Sequence, residues 1–222
     1  MTSRPLFHAP LYFLLNLPSS RPALELAEEV IAGGVQAIQL RAKDVNAHDL
    51  YLTARALRPL TQKAGVLLII NDRLDIAQAV GADGVHLGKE DLPLDAARML
   101  APELLIGISC YGSIERAQIA VAGGADYVAF GAFYNSPTKP QAPTISLKVL
   151  EEARNLPVPR VVIGGITENR VPELMAAGAD SVAVISAIQE DTSPEQASHR
   201  FSVALTKALQ KRAQGEQPSE SL

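Results

Sequence analysis

The stretch LLIINDRLDIAQAVGADGVHLGKEDLP, residues 67–93, decides the fold of this chain. Its first four residues form a continuous aliphatic run, which is typical of a strand buried on both faces. A helical segment follows and ends at Gly81, because glycine adopts the left-handed helix cap without steric cost. A second apolar run, Gly84–Leu87, predicts the next strand. The stretch therefore predicts a strand–helix–strand unit in which each strand ends in a cluster of polar residues.

The pattern of a helix ending in glycine, a tight turn and a strand recurs along the chain. Beside the copy that begins at Gly81, copies begin at Gly34, Gly124 and Gly178. Strands that alternate with helical patterns indicate β-α-β units and a parallel sheet. Eight strands are predicted, over Tyr12–Leu15, Ala37–Leu40, Leu67–Ile70, Gly84–Leu87, Leu105–Ile108, Tyr127–Phe130, Arg160–Ile163 and Ser181–Ile185.

Eight such units predict a single (β/α)8 barrel of the TIM type, with an N-terminal extension before the first strand. Helices are predicted over Ala23–Ala32, with Pro22 suited to the first turn, and over Pro194–Gln210. The barrel domain would span residues 1–211, and the polar residues 212–222 would form a disordered tail. A doubly wound open sheet is the alternative, but no glycine-rich fingerprint follows the first predicted strand.

Composition excludes several classes of function. The 222 residues carry a net charge of −4, and the cationic residues are scattered, so nucleic acid is not an expected partner. No apolar run approaches the roughly 20 residues of a membrane helix, and the N-terminus lacks the apolar core of a signal peptide. The single cysteine, Cys110, suits a reducing cytoplasm. Composition therefore predicts no membrane partner, and the polar clusters at the strand ends, described next, lead us to expect small phosphorylated substrates.

Two carboxylates follow neighbouring predicted strands. Asp72 follows the third strand and Asp91 follows the fourth, so parallel pairing would place both on the C-terminal rim of the barrel. Two carboxylates that meet there are suited to Mg²⁺, which takes one or two carboxylates together with substrate phosphates. Each residue could instead cap the helix that follows it.

Other rim segments indicate anion binding. Arg41 and Lys43 follow the second strand, where two cations suit a phosphate or pyrophosphate, although charged loop residues are often only solvated. Gly164-Gly165 and Ser186 follow the last two strands, where barrels often bind phosphate through backbone N–H groups. A simple turn and a helix cap are the alternatives. The long loop Gly131–Pro140 suggests a lid with phosphate-reaching groups, or a plain connector.

The remaining reactive side chains give weaker signals. No basic partner is placed near Cys110, so we expect a buried thiol rather than a nucleophile. The four histidines show no metal-ligand spacing. His86 points to a strand end and is expected to pack or hydrogen-bond there, without a catalytic role.

Six motifs, in order and over nearly the whole chain, together resemble those of the thiamine phosphate synthase family. They are Gln39–Lys43 (QLRAK), Ile70–Arg73 (INDR), Gly84–Gly88 (GVHLG) with Glu90–Pro93 (EDLP), Pro137–Pro140 (PTKP), Ile163–Ile166 (IGGI) and Val184–Ile188 (VISAI). The resemblance implies a TIM barrel that condenses an aminopyrimidine methyl diphosphate with hydroxyethylthiazole phosphate. The products would be thiamine phosphate and pyrophosphate, formed by Mg²⁺-assisted dissociative substitution.

The resemblance also implies a role for each matching residue. The catalytic set would be Arg41, Lys43, Ser109 and Lys139. The pyrimidine diphosphate would contact these four residues together with Gln39 and Asn71. The thiazole phosphate would contact Ser136, Thr138, Gly165, Ile185 and Ser186. Asp72 and Asp91 would ligate Mg²⁺. Relatives also suggest self-association into a homo-oligomer.

Two departures from the family pattern bear on the alternatives. Many relatives carry His where this chain has Tyr111, and Gln where it has Lys89. A thiazole tautomerase, the isomerase sibling, is thought to depend on a His near position 111, so Tyr111 counts against that function. A third alternative is a barrel that binds thiazole phosphate or thiamine phosphate without turnover, which would not need the two cations and two carboxylates.

Overall fold

Eight parallel strands close into a barrel in this computed structural model, which describes residues 7–135 and 143–214. Each strand pairs with the next, and β1 pairs with β8 to complete the ring. The predicted barrel is therefore confirmed, and the open sheet is excluded. The strands are β1 Leu11–Leu17, β2 Ala37–Ala42, β3 Leu67–Asn71, β4 Gly84–Leu87, β5 Leu105–Tyr111, β6 Tyr127–Gly131, β7 Arg160–Ile163 and β8 Ser181–Val184.

Helices follow the strands around the outside. Within the described residues they are α1 Ala23–Ala32, α2 Ala47–Ala64, α3 Leu74–Val80, α4 Leu94–Leu100, α5 Ile114–Ala122, α6 Lys148–Glu152, α7 Val171–Ala177, α8 Ser186–Gln189 and α9 Pro194–Ala213. Helix α1 has the predicted bounds, and Pro22 lies at its cap position rather than in its first turn. None of the described helices has the length and apolar character needed to cross a membrane.

Several element ends differ from the sequence prediction: β1, β2, β3 and β6 extend one or two residues beyond their predicted bounds, and three larger or more consequential differences follow. Strand β5 continues three residues past Ile108, so Ser109 lies within a strand rather than in the following loop. Strand β8 ends one residue earlier, at Val184. Helix α9 continues to Ala213, so the tail does not begin at Arg212. The Arg212 guanidinium donates to the Ala179 carbonyl at 3.0 Å, and this contact fixes the last helical turn. Residues 215–222 lie outside the described part of the chain.

A repeated side-chain clamp joins alternate strands to the segment that precedes the next strand. Each copy joins an odd-numbered strand to the residue that precedes the next, even-numbered strand. A side-chain oxygen of that residue accepts a hydrogen bond from a backbone N–H in the first two residues of the odd-numbered strand. The copies are Gln36 with Leu11 (2.9 Å), Asp83 with Leu68 (2.8 Å), Asp126 with Ile106 (2.7 Å) and Asp180 with Arg160 (3.0 Å). The recurring tract in the sequence therefore encodes a structural contact as well as a turn.

Replacing Asp83 with Ala should lower the free energy of unfolding by about 2 kcal/mol, because a buried backbone donor loses its acceptor. Asp83 also pairs with Arg58 at 2.7 Å, and both side chains are about one-fifth exposed. Asp75→Ala is the matched control, since its pair with Arg73 is largely exposed and should contribute within about 0.5 kcal/mol. Equal losses in urea unfolding of the two variants would contradict the clamp.

The barrel interior is filled by inward-facing residues, including two fully buried tyrosines. Phe7 lies in the segment before β1. Its ring stacks on the Tyr127 ring, with the centroids 4.1 Å apart, and meets the Tyr12 ring edge-on, with the centroids 5.4 Å apart. Gly107 lacks a side chain where the Tyr127 ring lies, since a Cβ there would come 1.9 Å from that ring. The N-terminal segment therefore closes the lower end of the barrel and supports two polar rings within it.

Candidate active site

The structure brings most of the predicted site residues to the C-terminal rim. Gln39 and Arg41 are in β2 on the alternating positions that face the barrel interior, and Asn71 is the last residue of β3. Ser109 lies in β5, next to a register shift against β6. Such a bulge re-aims the side chains around it. The barrel thus places these residues on the face where barrel enzymes carry their chemistry.

Asp72 and Asp91 meet at this rim. The Asp91 carboxyl is near enough to act on the Asp72 carboxyl through hydrogen bonding and through its charge, and Lys43 and Arg41 are near enough to act on the Asp72 charge. Burial, followed by the hydrogen bond and the charge of Asp91, raises the pKa of the Asp72 carboxyl to about 6, against the opposing effect of Lys43 and Arg41. Two acids in this arrangement repel each other when both are ionised, and a cation relieves that repulsion.

The helix-cap alternative for both aspartates is wrong. Helices α3 and α4 begin at Leu74 and Leu94, and neither start receives a side-chain capping bond. Asp91 instead accepts the Gly88 N–H at 2.6 Å within its own loop. The Asp72 N–H donates to the His86 carbonyl at 2.9 Å, and the Asp72 backbone has φ +63°, in the left-handed region. Neither aspartate therefore caps the helix that follows it.

The donor set at this rim fits Mg²⁺ better than a protein-only metal centre. Within residues 7–135 and 143–214, no group of three or more His, Cys, Asp or Glu side chains is placed to hold a metal ion. Two carboxylates with cationic neighbours leave coordination positions for substrate phosphate and water, as Mg²⁺ sites commonly do.

Asn16, at the end of β1, is a rim residue that sequence reasoning missed. Its side-chain carbonyl accepts a hydrogen bond from the Arg41 guanidinium. The Asn16 backbone is held in turn by Gln189 of α8 through two hydrogen bonds of 2.9 Å. The signal was available, because Asn16 follows the apolar run Tyr12–Leu15, as Asp72 follows the apolar run of β3. Asn16 therefore orients Arg41, one of the two cationic side chains that are predicted to bind the pyrophosphate.

A chain of buried hydrogen bonds crosses the barrel interior beneath the rim. Gln39 Nε2 donates to the Tyr12 hydroxyl at 2.7 Å, and the Tyr12 and Tyr127 hydroxyls lie 3.0 Å apart. The Tyr127 hydroxyl is 3.1 Å from His86 Nδ1, and His86 Nε2 is 2.8 Å from Ser109 Oγ. Burial lowers the pKa of His86 to about 4, so its ring is neutral at neutral pH. The predicted hydrogen bonding of His86 at a strand end is confirmed.

A cavity of about 340 Å³ opens at the ends of β7 and β8. It collects Gly165, Ile185 and Ser186, three of the residues predicted to hold the thiazole phosphate. Gly165 has φ +61°, and a Cβ there would come 2.3 Å from the Asn135 carbonyl oxygen, so glycine is required. Ser186 is the first residue of α8 rather than its cap. Ser136, Thr138 and Lys139 lie outside the described residues.

The charge around this cavity differs from that at the carboxylate pair. Among the described residues that line the cavity, Glu190 is the charged one, and none is cationic. A phosphate held here by the described part of the chain would therefore rely on neutral donors, namely backbone N–H groups and polar side chains such as the Ser186 and Thr167 hydroxyls.

Lys89 and Tyr111, the two residues that depart from the family pattern, are in contact. The Lys89 backbone N–H donates to the Tyr111 hydroxyl at 3.4 Å, beside the loop that carries Asp91. Tyr111 has φ +55°, which is rare for a bulky side chain and is typical of functional or constrained positions. The predicted burial of the Cys110 thiol is confirmed, and burial raises its pKa to about 12, which disfavours the reactive thiolate.

Comparison with known proteins gives a consistent result. The family model described as thiamine monophosphate synthase matches residues 11–188. A thiamine-phosphate synthase of Marinobacter nauticus is 49% identical over 162 residues, covering 72% of this chain and 73% of its own. A thiamine-phosphate synthase from a Roseiflexus species is 42% identical over 196 residues, which cover 87% of this chain and 83% of the Roseiflexus protein.

A solved structure extends the likeness to the fold. Thiamine phosphate pyrophosphorylase from Pyrococcus furiosus superposes with a TM-score of 0.83 at 35% identity, over 90% of this chain and 96% of that one. A 3-hexulose-6-phosphate synthase superposes with a TM-score of 0.73 at 22% identity, which shows a shared fold alone. The chain belongs to the thiamine monophosphate synthase family.

Proposed function

We propose that this transferase joins the two halves of thiamine phosphate across the barrel rim. The pyrimidine diphosphate binds at strands β2–β5, and the hydroxyethylthiazole phosphate binds at the cavity between β7 and β8. The meeting of Asp72 and Asp91 beside Arg41 and Lys43 carries this proposal. Carboxylates and cations in one place suit a metal-bound pyrophosphate, whereas a simple monophosphate would not need both.

The enzyme's main task in this reaction is to stabilise the departing pyrophosphate. As the bond to the pyrimidine methylene carbon breaks, the bonding electrons leave with the pyrophosphate. Arg41, held by Asn16, and Lys43 face that negative charge, and Ser109 offers a hydroxyl donor. When bound at Asp72 and Asp91, Mg²⁺ would supply further neutralisation of the pyrophosphate charge. Lys139 is assigned to the same group through the family motif.

The second substrate attacks the pyrimidine methylene carbon through its thiazole ring nitrogen. That nitrogen carries no proton, so the step requires correct placement rather than a general base. Gly165, Ile185 and Ser186 hold the thiazole phosphate in the rim cavity, and Ser136 and Thr138 are assigned to it through the family motif. The neutral, buried His86 agrees with a mechanism that uses no histidine base.

The alternatives have less support at this rim. An isomerase of the tautomerase kind needs an accessible side chain to move a proton, but both ring nitrogens of His86 are engaged with Tyr127 and Ser109. A barrel that only binds its ligand would not need the repelling carboxylate pair. A cytoplasmic location is part of the proposal, supported by the use of a single cysteine, Cys110, which suits a reducing compartment.

Thiamine phosphate should form from the two substrates in the presence of Mg²⁺ and should fall to background when a chelator is added. The purified protein, each substrate alone and the chelator with excess Mg²⁺ restored provide the controls. Product formation that is indifferent to the chelator would contradict the metal assignment. Binding of thiazole phosphate without product under any condition would contradict the transferase reaction.

A further inference from the structure

We propose that His86, Tyr127 and Tyr12 are positioning residues that turn the Ser109 hydroxyl proton toward the leaving pyrophosphate. The inference rests on the proposed function, because that function places the pyrophosphate at Ser109. The side chains of the three residues lie beneath the rim, since Tyr12 and Tyr127 are fully buried and His86 is 8% exposed. We therefore expect the side chains of these three residues to act on the pyrophosphate through Ser109, which accepts a hydrogen bond from His86.

The direction of the hydrogen bonds follows from counting protons. An amide nitrogen only donates, so the Tyr12 oxygen accepts from Gln39 Nε2. Within residues 7–135 and 143–214, the other partner of the Tyr12 hydroxyl is Tyr127, so the buried Tyr12 proton is hydrogen-bonded only if it goes to the Tyr127 oxygen. The Tyr127 proton then has His86 Nδ1 as its acceptor. Each hydroxyl therefore donates in the same direction, away from Gln39.

This direction fixes the tautomer of His86. Because Nδ1 accepts from Tyr127, the proton of the neutral ring must be on Nε2, 2.8 Å from Ser109 Oγ. The Ser109 oxygen accepts that proton, and its own proton is left to point away from the ring and into the rim. A hydroxyl aimed in this way donates to a pyrophosphate oxygen. The opposite arrangement would present an oxygen lone pair to an anion and would weaken binding.

The packing around the tyrosines holds the chain of bonds in place. Phe7 stacks on Tyr127, and the absence of a side chain at Gly107 leaves room for the Tyr127 ring. Tyr127→Phe removes a single hydroxyl and keeps this packing, so it breaks the chain at its middle. Without a donor at Nδ1, the His86 ring is free to take either tautomer.

The test is a double-mutant cycle of Tyr127→Phe and Ser109→Ala, with KM measured for each substrate. We expect Tyr127→Phe to raise the KM for the pyrimidine diphosphate about tenfold, the size expected for one hydrogen bond to a charged group. The KM for thiazole phosphate should not change. On the Ser109→Ala background, Tyr127→Phe should change the pyrimidine diphosphate KM by less than about twofold.

A second readout does not depend on turnover. Imidazole ¹⁵N chemical shifts of His86 should report the Nε2–H tautomer in the native protein and a mixture of tautomers in Tyr127→Phe. An Nδ1–H tautomer in the native protein would overturn the inference. The inference would also be overturned if the increases in the pyrimidine diphosphate KM from the two single substitutions multiplied in the double variant, because Tyr127 would then act by a route other than Ser109.

The same cycle separates this inference from the proposed function. If Ser109→Ala alone leaves the pyrimidine diphosphate KM unchanged, Ser109 does not hold the pyrophosphate, and both the site assignment and the inference are wrong. If Ser109→Ala raises that KM but Tyr127→Phe leaves it unchanged, the site assignment stands and the inference alone is wrong.

Discussion

Asp72→Asn should lower Mg²⁺-dependent turnover by at least about 100-fold and at the same time raise the melting temperature of the metal-free protein at neutral pH. The loss follows because one of two metal-binding carboxylates becomes a neutral amide. The gain follows because Asp72 is half-buried against Asp91, and their repulsion costs stability when no cation is present. Asn is the appropriate substitution, since it also tolerates the left-handed backbone at φ +63°.

The raised pKa of Asp72 also predicts the direction in which the stability of the metal-free protein changes with pH. The pKa of Asp72 is about 6 in the folded protein, above its ordinary value of 3.8. The folded state therefore binds more protons than the unfolded state between those values, and metal-free stability should fall as pH rises through about 6. That decline should be absent in Asp72→Asn, and added Mg²⁺ should reduce it in the native protein.

Asp75→Asn is the matched control for the same charge change. Asp75 lies three residues away on α3, and its carboxylate pairs with Arg73 at the surface. The control should keep its turnover and should not gain stability. Thermal melts at pH 5 and pH 7.5, with and without Mg²⁺, together with turnover assays, would check the prediction. Normal turnover in Asp72→Asn would remove Asp72 from the metal site.

The barrel and its rim could be predicted from the sequence because their signals are local. Each strand is a short aliphatic run, and each polar cluster lies where such a run ends, so order along the chain is enough to place Arg41, Asp72 and Asp91 on one rim. The strand ends were less certain, because Ser109 and Tyr111 are polar residues that continue β5 through pairing with β6. That pairing is not visible in the β5 segment itself.

The buried polar chain could not be predicted, because it depends on register between strands that are far apart in sequence. Tyr12 and Tyr127 are 115 residues apart, and each alone reads as an ordinary strand residue. Whether their hydroxyls meet depends on how eight strands are staggered around the ring. Asp83 illustrates the same limit. The sequence around it predicted a turn, but not the hydrogen bond that its carboxylate accepts from the Leu68 N–H.

Gly165→Ala should raise the KM for thiazole phosphate at least about tenfold, because the backbone donors of the cavity must shift away from the phosphate. The added Cβ would lie 2.3 Å from the Asn135 carbonyl oxygen and 2.7 Å from that of Tyr134. Both are backbone atoms, so neither can rotate aside as a flexible side chain would. The KM for the pyrimidine diphosphate should stay near its native value, because that substrate binds at other strands.

Gly81→Ala separates the steric effect from the cost of the backbone conformation. Gly81 has φ +64°, close to the +61° of Gly165, but a Cβ there would meet no atom within 4 Å. Both variants should therefore lose about 1 kcal/mol of stability from the left-handed conformation, and only Gly165→Ala should lose affinity for thiazole phosphate. An unchanged KM in Gly165→Ala would mean that the phosphate does not bind against this backbone. A KM raised equally for both substrates would mean that the substitution disturbs the whole rim rather than one of its two anion sites.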